Sequence, residues 1–247
     1  MMNRIYSLTD CGKKRKNNED FAFASFFPFF AGLLVCDGVG GNRKGEVCST
    51  LCGELTIQYL NNLEEDDLKD EAKIVKTLKR LFSFIQERVK EMQISSEIYS
   101  NMASTYTLAL VFDTKTYILH VGDSACYTFS REKELRKVTY SDTLFNFAHD
   151  NHLTFSDISD LKMNNTLIAA VGIKNSVIPH ISIIDNDYDK LLLCSDGLYN
   201  MVNNQEITKI LSKKLFNTKE KCEILIKTAN SNGGKDNIGV SLLEVVN

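Results

Sequence analysis

Acidic residues recur in this sequence at the ends of short apolar runs and in glycine-containing turns. The clearest case is residues 33–36, a Leu-Leu-Val-Cys run that predicts a buried strand with Asp37 at its end. Residues 191–194 repeat the pattern and lead to Asp196. The other acidic positions of this kind are Asp20, Asp123 and Asp236. Strand ends that carry carboxylates in this way can face each other across one site.

Carboxylates that converge from several strands suit hard divalent cations, which prefer oxygen ligands. None of the four histidines lies in the five acidic stretches, so Mg²⁺ or Mn²⁺ fits better than Zn²⁺. Two such ions can activate a water and hold a phosphoryl group, and Arg15 offers a planar fork for phosphate. Any single aspartate here is more simply a turn residue. Together, the five stretches predict a two-metal phosphoester hydrolase.

Composition bounds the class of protein. The chain has 247 residues, of which 43% are hydrophobic and 25% charged, so it can form a substantial core. A net charge of −3 and a single short basic cluster at residues 13–16 give no nucleic-acid footprint. No apolar run resembles a signal peptide or a membrane span. Seven cysteines without a C-x-x-C pair indicate reduced thiols, and we expect a cytoplasmic protein that binds no membrane.

The apolar periodicity predicts many strands interrupted by two pairs of helices. Strands are expected at residues 5–8, 21–27, 33–36, 105–112, 117–121, 125–129, 135–139, 168–171, 181–184, 190–194 and 238–245. Helices are expected from Gly45 onward and at residues 68–92, 203–215 and 218–230. The spacing within residues 105–139 favours antiparallel hairpins or a meander. Residues 141–165 are polar and predict a loop with a short helix. No linker or repeat divides the chain, which predicts one domain over residues 1–247.

The ordered motifs resemble those of the PPM phosphatases, the metal-dependent protein phosphatase 2C family, and the resemblance is closest to small bacterial stand-alone members. The motifs that carry it are Thr9-Asp10-x-Gly12-x-x-Arg15-x-x-Asn18-Glu19-Asp20, Asp37-Gly38-x-Gly40-Gly41-x-x-x-Gly45-Glu46-x-x-Ser49, Gly122-Asp123-Ser124, Ser195-Asp196-Gly197-Leu198 and Asp236-Asn237. The series spans nearly the whole chain and is far more specific than any one motif. The resemblance implies an α+β fold, a four-layer α-β-β-α sandwich of two antiparallel sheets flanked by antiparallel helix pairs.

The resemblance also implies a role for each motif residue. Asp37 would bridge two divalent ions, Mn²⁺ or Mg²⁺, and the Gly38 carbonyl would bind one of them. Asp196 and Asp236 would complete the coordination of the second ion, and Asp123 would help to hold a third ion that binds more weakly. Glu19 and Asp20 would orient metal-bound water, and Arg15 would bind the phosphate. The implied reaction is hydrolysis of phosphoserine or phosphothreonine in proteins by a metal-bridging hydroxide, without a phosphoenzyme.

Three departures from the family pattern concern the surroundings of the site. Val39 stands where animal members carry His, and Ala125 stands where the family usually has Arg. The segment 141–165, which corresponds to the family's variable flap and is called the flap segment below, lacks the usual His-Pro pattern. Because every metal-binding aspartate is present, we expect an active enzyme.

The main alternative is a non-catalytic phosphoprotein-binding module on the same fold, which a lost metal ligand would favour. A cysteine-based phosphatase is excluded because no cysteine is followed by Arg at the sixth position. Residues 185–189 superficially resemble an aspartyl-nucleophile motif or a calcium loop, but a hairpin turn is the simpler prediction. The expected partner is a phosphorylated protein, either a serine/threonine kinase or its targets, or one dedicated switch phosphoprotein. We expect a monomer that binds no nucleic acid.

Overall fold

The computed structural model describes residues 3–39, 44–130, 132, 134–151, 166–173 and 177–245. In this part of the chain, two antiparallel sheets lie against each other, and helices cover their outer faces. The first sheet has the strand order β1 (Arg4–Asp10), β11 (Ile238–Glu244), β10 (Lys190–Cys194), β7 (Ala125–Ser130) and β8 (Glu134–Lys137). It therefore joins the two ends of the chain, since β1 pairs with β11 along its whole length.

The second sheet lies across the core from the first. Its strand order is β2 (Asp20–Phe26), β3 (Ala31–Val39), β5 (Tyr106–Val111), β6 (Lys115–Val121) and β9 (His180–Asp185), and the short β4 (Ala103–Ser104) pairs with the end of β3. The strand order and the antiparallel pairing agree with the predicted sandwich.

The central strands are apolar on both faces because each face packs against a different layer. In β3, Leu33 and Val35 contact the opposite sheet, whereas Leu34 and Cys36 face helices. All four side chains are fully buried. Burial on both faces explains why this run shows no alternation of polar and apolar residues. The buried strand in turn fixes where Asp37 emerges.

Two helices cover the second sheet, α1 (Gly45–Asn61) and α2 (Glu71–Ser95). The side chain of Asp70 caps α2 by accepting a hydrogen bond from the Lys73 N–H. The buried residues of α2 recur every three or four positions, as the sequence predicts; they are Ile74, Thr77, Leu78, Leu81, Phe82, Ile85 and Val89. The helix expected over residues 68–92 begins later, at Glu71, because a 3-10 turn (Glu65–Leu68) precedes it.

The first sheet carries α4 (Asp196–Tyr199), α5 (Asn204–Leu211) and α6 (Thr218–Ser231) on its outer face. Asn203 and Glu206 form a capping box at the start of α5, and α6 begins with a second one formed by Asn217 and Glu220. The helix expected over residues 203–215 ends earlier, at Leu211.

Two strand predictions need correction. Residues 168–171 form no strand; single bridges join Leu167 to Thr143 and Val171 to Ser104. Of the two arrangements expected for residues 105–139, the structure shows antiparallel hairpins, β5–β6 in the second sheet and β7–β8 in the first, and not one meander. Residues 185–189 are not a hairpin turn, since β9 and β10 also belong to different sheets. Local periodicity identifies strands but does not assign them to a sheet.

The flap segment is described in part. Its short helix, α3 (Leu144–Asp150), agrees with the prediction, whereas residues 152–165 lie outside the described residues. All seven cysteines are free, and all but Cys11 are buried. None of the described helices is long and apolar enough to cross a membrane.

Candidate active site

A polar cleft of about 330 Å³ opens where the ends of several strands meet. It gathers most of the residues that the sequence singles out for chemistry. These are Arg15, Glu19, Asp37, Gly38, Asp123, Asp196 and Asp236. Val39, Thr166 and Leu167 complete the lining, and the last two were not predicted. Positions far apart in the sequence therefore reach one site.

Three hydrogen bonds hold the backbone of Asp37. The sequence predicts that this strand ends before Asp37, but β3 continues through Val39. The Asp37 N–H donates to Thr105 Oγ1 at 2.9 Å, and its carbonyl accepts from the Thr105 N–H at 2.9 Å and from Ser104 Oγ at 3.0 Å. With the main chain fixed on both sides, the carboxylate of Asp37 is left to face the cleft.

Gly38 allows an unusually close approach between β3 and the start of α1. A Cβ atom at Gly38 would lie 2.4 Å from the Gly45 carbonyl oxygen and 2.6 Å from that of Glu19. The Gly38 N–H donates to the Glu19 carbonyl at 3.0 Å, so the neighbouring strand is bound at the same point. No other residue fits at position 38 without displacing backbone. The glycine therefore brings Glu19, Asp37 and the first turn of α1 to one side of the cleft.

Asp20 occupies a different place from the other predicted site residues. It pairs with Asp37 across β2 and β3 but is not among the residues that line the cleft. Its Oδ2 atom accepts a 2.6 Å hydrogen bond from Ser195 Oγ, and Oδ1 is buried with no hydrogen-bond partner among the described protein atoms. A buried acceptor without a partner is costly, which points to a group that the protein atoms alone do not supply.

Asn237 anchors the loop that carries Arg15 and Glu19. Its amide donates to the carbonyls of Cys11 at 2.9 Å and Asn17 at 2.8 Å, and its Oδ1 accepts from the Glu19 N–H at 2.9 Å. These three bonds tie the N-terminal loop to the start of β11. Asn237 belongs to one of the motifs, but no role was predicted for it. Its position directly after the predicted ligand Asp236 was the signal that the sequence offered.

Arg15 lies at the cleft with its guanidinium against a carboxylate. Its Nη2 atom is 2.8 Å from Asp236 Oδ2, and both side chains are partly exposed, at 45% and 36%. The predicted phosphate-binding cation and one predicted metal ligand are therefore in direct contact. The pairing leaves the guanidinium other donors for an incoming anion.

Asp196 follows β10 of the first sheet, whereas Asp123 lies in the crossing between the two sheets. Asp123 follows Gly122, whose φ of 104° favours glycine, in the crossing from β6 to β7. Its carbonyl accepts a 3.1 Å hydrogen bond from the Tyr199 hydroxyl. Asp196 is the first residue of α4, where a negative charge is favoured, and its Oδ2 accepts from the Asn200 amide at 3.1 Å.

Crowding and burial make these carboxylates hard to ionise. Burial is the main cause that raises the pKa of Asp20 and of Asp196 to about 7, and that of Asp123 to about 6. Burial, followed by the charges of Asp20 and Asp196, raises the pKa of Asp37 well above its usual value. The pKa of Glu19 is raised by burial and by Glu46. Carboxylates with raised pKa values in one cleft indicate a place for added positive charge.

The donor set fits hard divalent cations. It consists of carboxylates and a backbone carbonyl, without sulfur or imidazole, which suits Mg²⁺ or Mn²⁺. No three or more His, Cys, Asp or Glu side chains in the described ranges are close enough to hold a metal unaided. Water would therefore complete the coordination, as is usual for Mg²⁺. The unpartnered Oδ1 of Asp20 and the raised pKa values favour the same conclusion.

Comparison with known proteins identifies the family. The family model described as "Protein phosphatase 2C" matches residues 9–230. The chain belongs to the protein phosphatase 2C family. The serine/threonine phosphatase stp of Listeria monocytogenes is 30% identical over 249 residues, which cover 96% of this chain and 93% of the relative. The protein phosphatase PhpP of Streptococcus pneumoniae is 29% identical over 246 residues, with 98% and 97% covered.

Solved structures of protein phosphatase 2C proteins agree with the fold. The serine/threonine phosphatase Stp1 from Staphylococcus aureus matches with a TM-score of 0.89 and 25% identity, covering 100% of this chain and 96% of that one. The catalytic domain of the serine/threonine protein phosphatase PstP, solved with two manganese ions, matches with a TM-score of 0.77 and 28% identity over 99% of both chains. The family predicted from the ordered motifs is thus confirmed.

Proposed function

We propose that this chain hydrolyses phosphoserine and phosphothreonine in proteins in a reaction that depends on divalent cations. The observation that carries the proposal is the cleft, which joins several carboxylates and one arginine from separate strands. Family membership and relatives named as serine/threonine phosphatases support the substrate class. The manganese bound by PstP supports a two-metal requirement.

The residues that would hold the cations are those with oxygen atoms at the cleft. Asp37, Asp196 and Asp236 would hold two ions together with the Gly38 carbonyl, and Asp123 would contribute to a weaker third. The bound ions, Mn²⁺ or Mg²⁺, would supply Lewis acidity that activates water and offsets the charge of the phosphoryl group.

The chain's own side chains orient the reactants. Arg15 binds phosphate oxygens through guanidinium donors that its bond to Asp236 leaves available. Glu19, half-buried at the cleft, accepts hydrogen bonds from water and so orients it. Asp20 lies behind the cleft-lining residues, where Ser195 Oγ donates a hydrogen bond to its Oδ2. From this position Asp20 would help to orient metal-bound water. Since Val39 has no proton to give, water protonates the leaving oxygen.

The non-catalytic alternative has less support than hydrolysis. A binding module that had lost catalysis would be expected to lack a metal ligand, and every predicted carboxylate is present in this chain. The relatives that match along most of their length are named phosphatases. Catalysis is therefore the function that the site supports best.

The finer assignments rest on the same reasoning. We propose one phosphatase domain over residues 1–247 that acts as a monomer in the cytoplasm. The seven free thiols suit a reducing compartment. The substrate is a phosphorylated protein, either a serine/threonine kinase or a target of one. The negative net charge gives no support to nucleic-acid binding.

Hydrolysis of a phosphothreonine peptide and of p-nitrophenyl phosphate tests the proposal. Turnover is measured with Mn²⁺, with Mg²⁺ and with EDTA, for the wild type and for Asp37→Ala. We expect turnover that requires the metal and falls by more than about a hundredfold in the variant, because a direct ligand should matter more than the outer-shell partners of a metal, whose loss costs about 10- to 100-fold. The matched control is Asp113→Asn, an exposed aspartate at the far end of the β5–β6 hairpin, which should behave as wild type. A folded wild type that turns over neither substrate would contradict the proposal.

A further inference from the structure

Asp142 contacts the turn that precedes Asp123 through both its main chain and its side chain. The Asp142 N–H donates to the Gly122 carbonyl at 2.8 Å, and the Gly122 N–H donates to Asp142 Oδ2 at 2.8 Å. Both polar groups of the Gly122 backbone are therefore bonded to one residue. The Asp142 side chain is only 11% exposed, so water competes little for these bonds.

The same residue joins the two ends of the flap segment. The Asp142 carbonyl accepts a 3.0 Å hydrogen bond from the Ile168 N–H. Next to it, Thr143 bridges to Leu167, and the Leu144 N–H donates to the Thr166 carbonyl at 2.8 Å. The outgoing chain is thus paired with the returning chain over three consecutive residues. Thr166 and Leu167 are the cleft-lining residues that sequence reasoning missed.

His180, the first residue of β9, fixes the second oxygen of the carboxylate. Its Nε2–H donates to Asp142 Oδ1 at 2.8 Å, which requires a ring protonated at that nitrogen. The imidazole is 52% exposed, whereas the carboxylate it contacts is nearly buried. Each oxygen of Asp142 therefore has its own donor, Gly122 on one side and His180 on the other.

These contacts give Asp142 a place in the site without contact to the reacting groups. It is not a cleft-lining residue, but it is bonded to the residue before Asp123 and to the backbone that continues into Thr166 and Leu167. Asp142 is the residue through which these two parts of the cleft wall are held to each other.

We propose that Asp142 is a positioning residue of the phosphatase site, which sets the Asp123 turn against the Thr166–Leu167 wall, with His180 orienting its carboxylate. The proposal rests on the proposed function. It predicts that Asp142 acts through Asp123, so that the two residues are energetically coupled. A residue that merely stabilises the fold would instead lower activity independently of Asp123.

A double-mutant cycle in Mn²⁺ tests this coupling. Asp142→Ala is expected to lower kcat for p-nitrophenyl phosphate about tenfold in the wild type, but less than about twofold in Asp123→Asn. Asp142→Asn serves as the isosteric variant that retains the fold, since its single amide oxygen satisfies one of the two donors. It should show the same non-additivity with a smaller effect. Equal fold-losses in both backgrounds would overturn the proposal.

Substitutions of His180 provide a second test of the proposal. Because a glutamine amide can replace the imidazole donor, His180→Gln should retain the wild-type kcat, whereas His180→Ala should lose about threefold, a fraction of the Asp142→Ala effect. The matched control is His149→Ala, an exposed histidine whose Nδ1 lies 3.5 Å from Asp150, and it should leave kcat unchanged. Equal kcat in His180→Ala and the wild type would remove His180 from the proposal.

Mn²⁺ binding, followed by the EPR signal of the free ion, tests the proposal without turnover. Asp142→Ala and Asp123→Asn should weaken the same, weakest binding step by about threefold or more, and Asp113→Asn should not. Binding curves of Asp142→Ala that match the wild type would overturn the proposal. If the wild type binds Mn²⁺ but hydrolyses neither substrate, the proposed function fails, and this binding comparison still decides the role of Asp142.

Discussion

Glu244, at the end of β11, is a buried carboxylate and Asp196, at the start of α4, is a partly buried one, and their surroundings differ. Glu244 accepts hydrogen bonds from Lys221 and Thr218, both at 2.6 Å, and Lys190 lies 3.2 Å away. Burial alone would raise its pKa, yet these donors lower it. Burial, followed by the charges of Asp123 and Asp236, raises the pKa of Asp196 to about 7, although the partly exposed Arg15 lowers it.

The contrast separates a structural charge from a functional one. At Glu244 the protein supplies the compensating cations itself, so the ionised form is the stable one. At the cleft the protein gathers negative charge and compensates little of it, which costs stability in the absence of a cation. Such uncompensated groups are typical of sites that bind something. Substitutions that change the charge compensation should therefore have different consequences in the two regions.

The largest effect on stability is expected from Lys221→Met. The Lys221 side chain is 4% exposed and donates directly to Glu244, so its removal leaves a buried carboxylate with less compensation. The free energy of unfolding should fall by about 3 kcal/mol, at the low end for a broken buried ion pair, because Lys190 remains. Urea unfolding at pH 7 measures it. Turnover at 20 °C should be unchanged, and a stability equal to wild type would mean that Glu244 needs no cation.

Arg15→Ala should instead lower activity and leave the stability almost unchanged. Its ion pair with Asp236 is partly exposed, so stability should change by less than about 1 kcal/mol. The value of kcat/KM for a phosphothreonine peptide should fall about tenfold or more, because a charge-assisted bond to phosphate is lost. Steady-state kinetics and urea unfolding of one preparation give both quantities. Unchanged kinetics would mean that Arg15 serves only to pair with Asp236.

The contribution of Glu244 to the free energy of unfolding should decrease as the pH falls. Its folded pKa lies below the unfolded value of about 4.3. Its stabilisation is therefore complete above that value and is lost as pH falls through the folded pKa. Glu244→Gln should be less stable than wild type at pH 7, and the difference should shrink below about pH 4. Urea midpoints from pH 7 to pH 3 measure it, and a constant difference would contradict the assignment.

The cleft could be predicted from the sequence because its key features are local. An apolar run that ends in Asp37, and the glycine after it, are visible in the printed chain. The order of the motifs also predicted the family and the sandwich. What escaped prediction depends on distant contacts. Residues 185–189 cross between sheets instead of forming a hairpin, because strand pairing and not periodicity decides the sheet.

The same limit applies within the site. The burial of Asp20 behind Asp37 follows from the pairing of β2 with β3 and from the Ser195 hydroxyl, 175 residues away in the chain. The anchoring role of Asn237 likewise depends on carbonyls of the N-terminal loop. Sequence spacing identifies which residues have the right chemistry. Their depth and their partners are set by the fold.

The smallest effect is expected from one substitution whose stability is measured without and with a divalent cation. Asp196→Asn replaces a carboxylate that has like charges around it with a neutral amide of the same shape, and the Asn200 amide can still donate to its oxygen. In EDTA at pH 8, the variant should be more stable than wild type by about 1 kcal/mol, since repulsion is relieved. In Mn²⁺ the order should reverse, because only the wild type retains the full set of ligands and gains the binding free energy.

Thermal unfolding of both proteins in each buffer measures this reversal. Glu244→Gln is the matched control, because the same change from carboxylate to amide at the compensated region should destabilise the protein with or without Mn²⁺. If Asp196→Asn is less stable than wild type in EDTA as well, the cleft carboxylates are compensated by the protein itself. The distinction between the two regions would then fail. A reversal confined to Asp196 would show that the protein leaves this charge to be balanced by a bound cation.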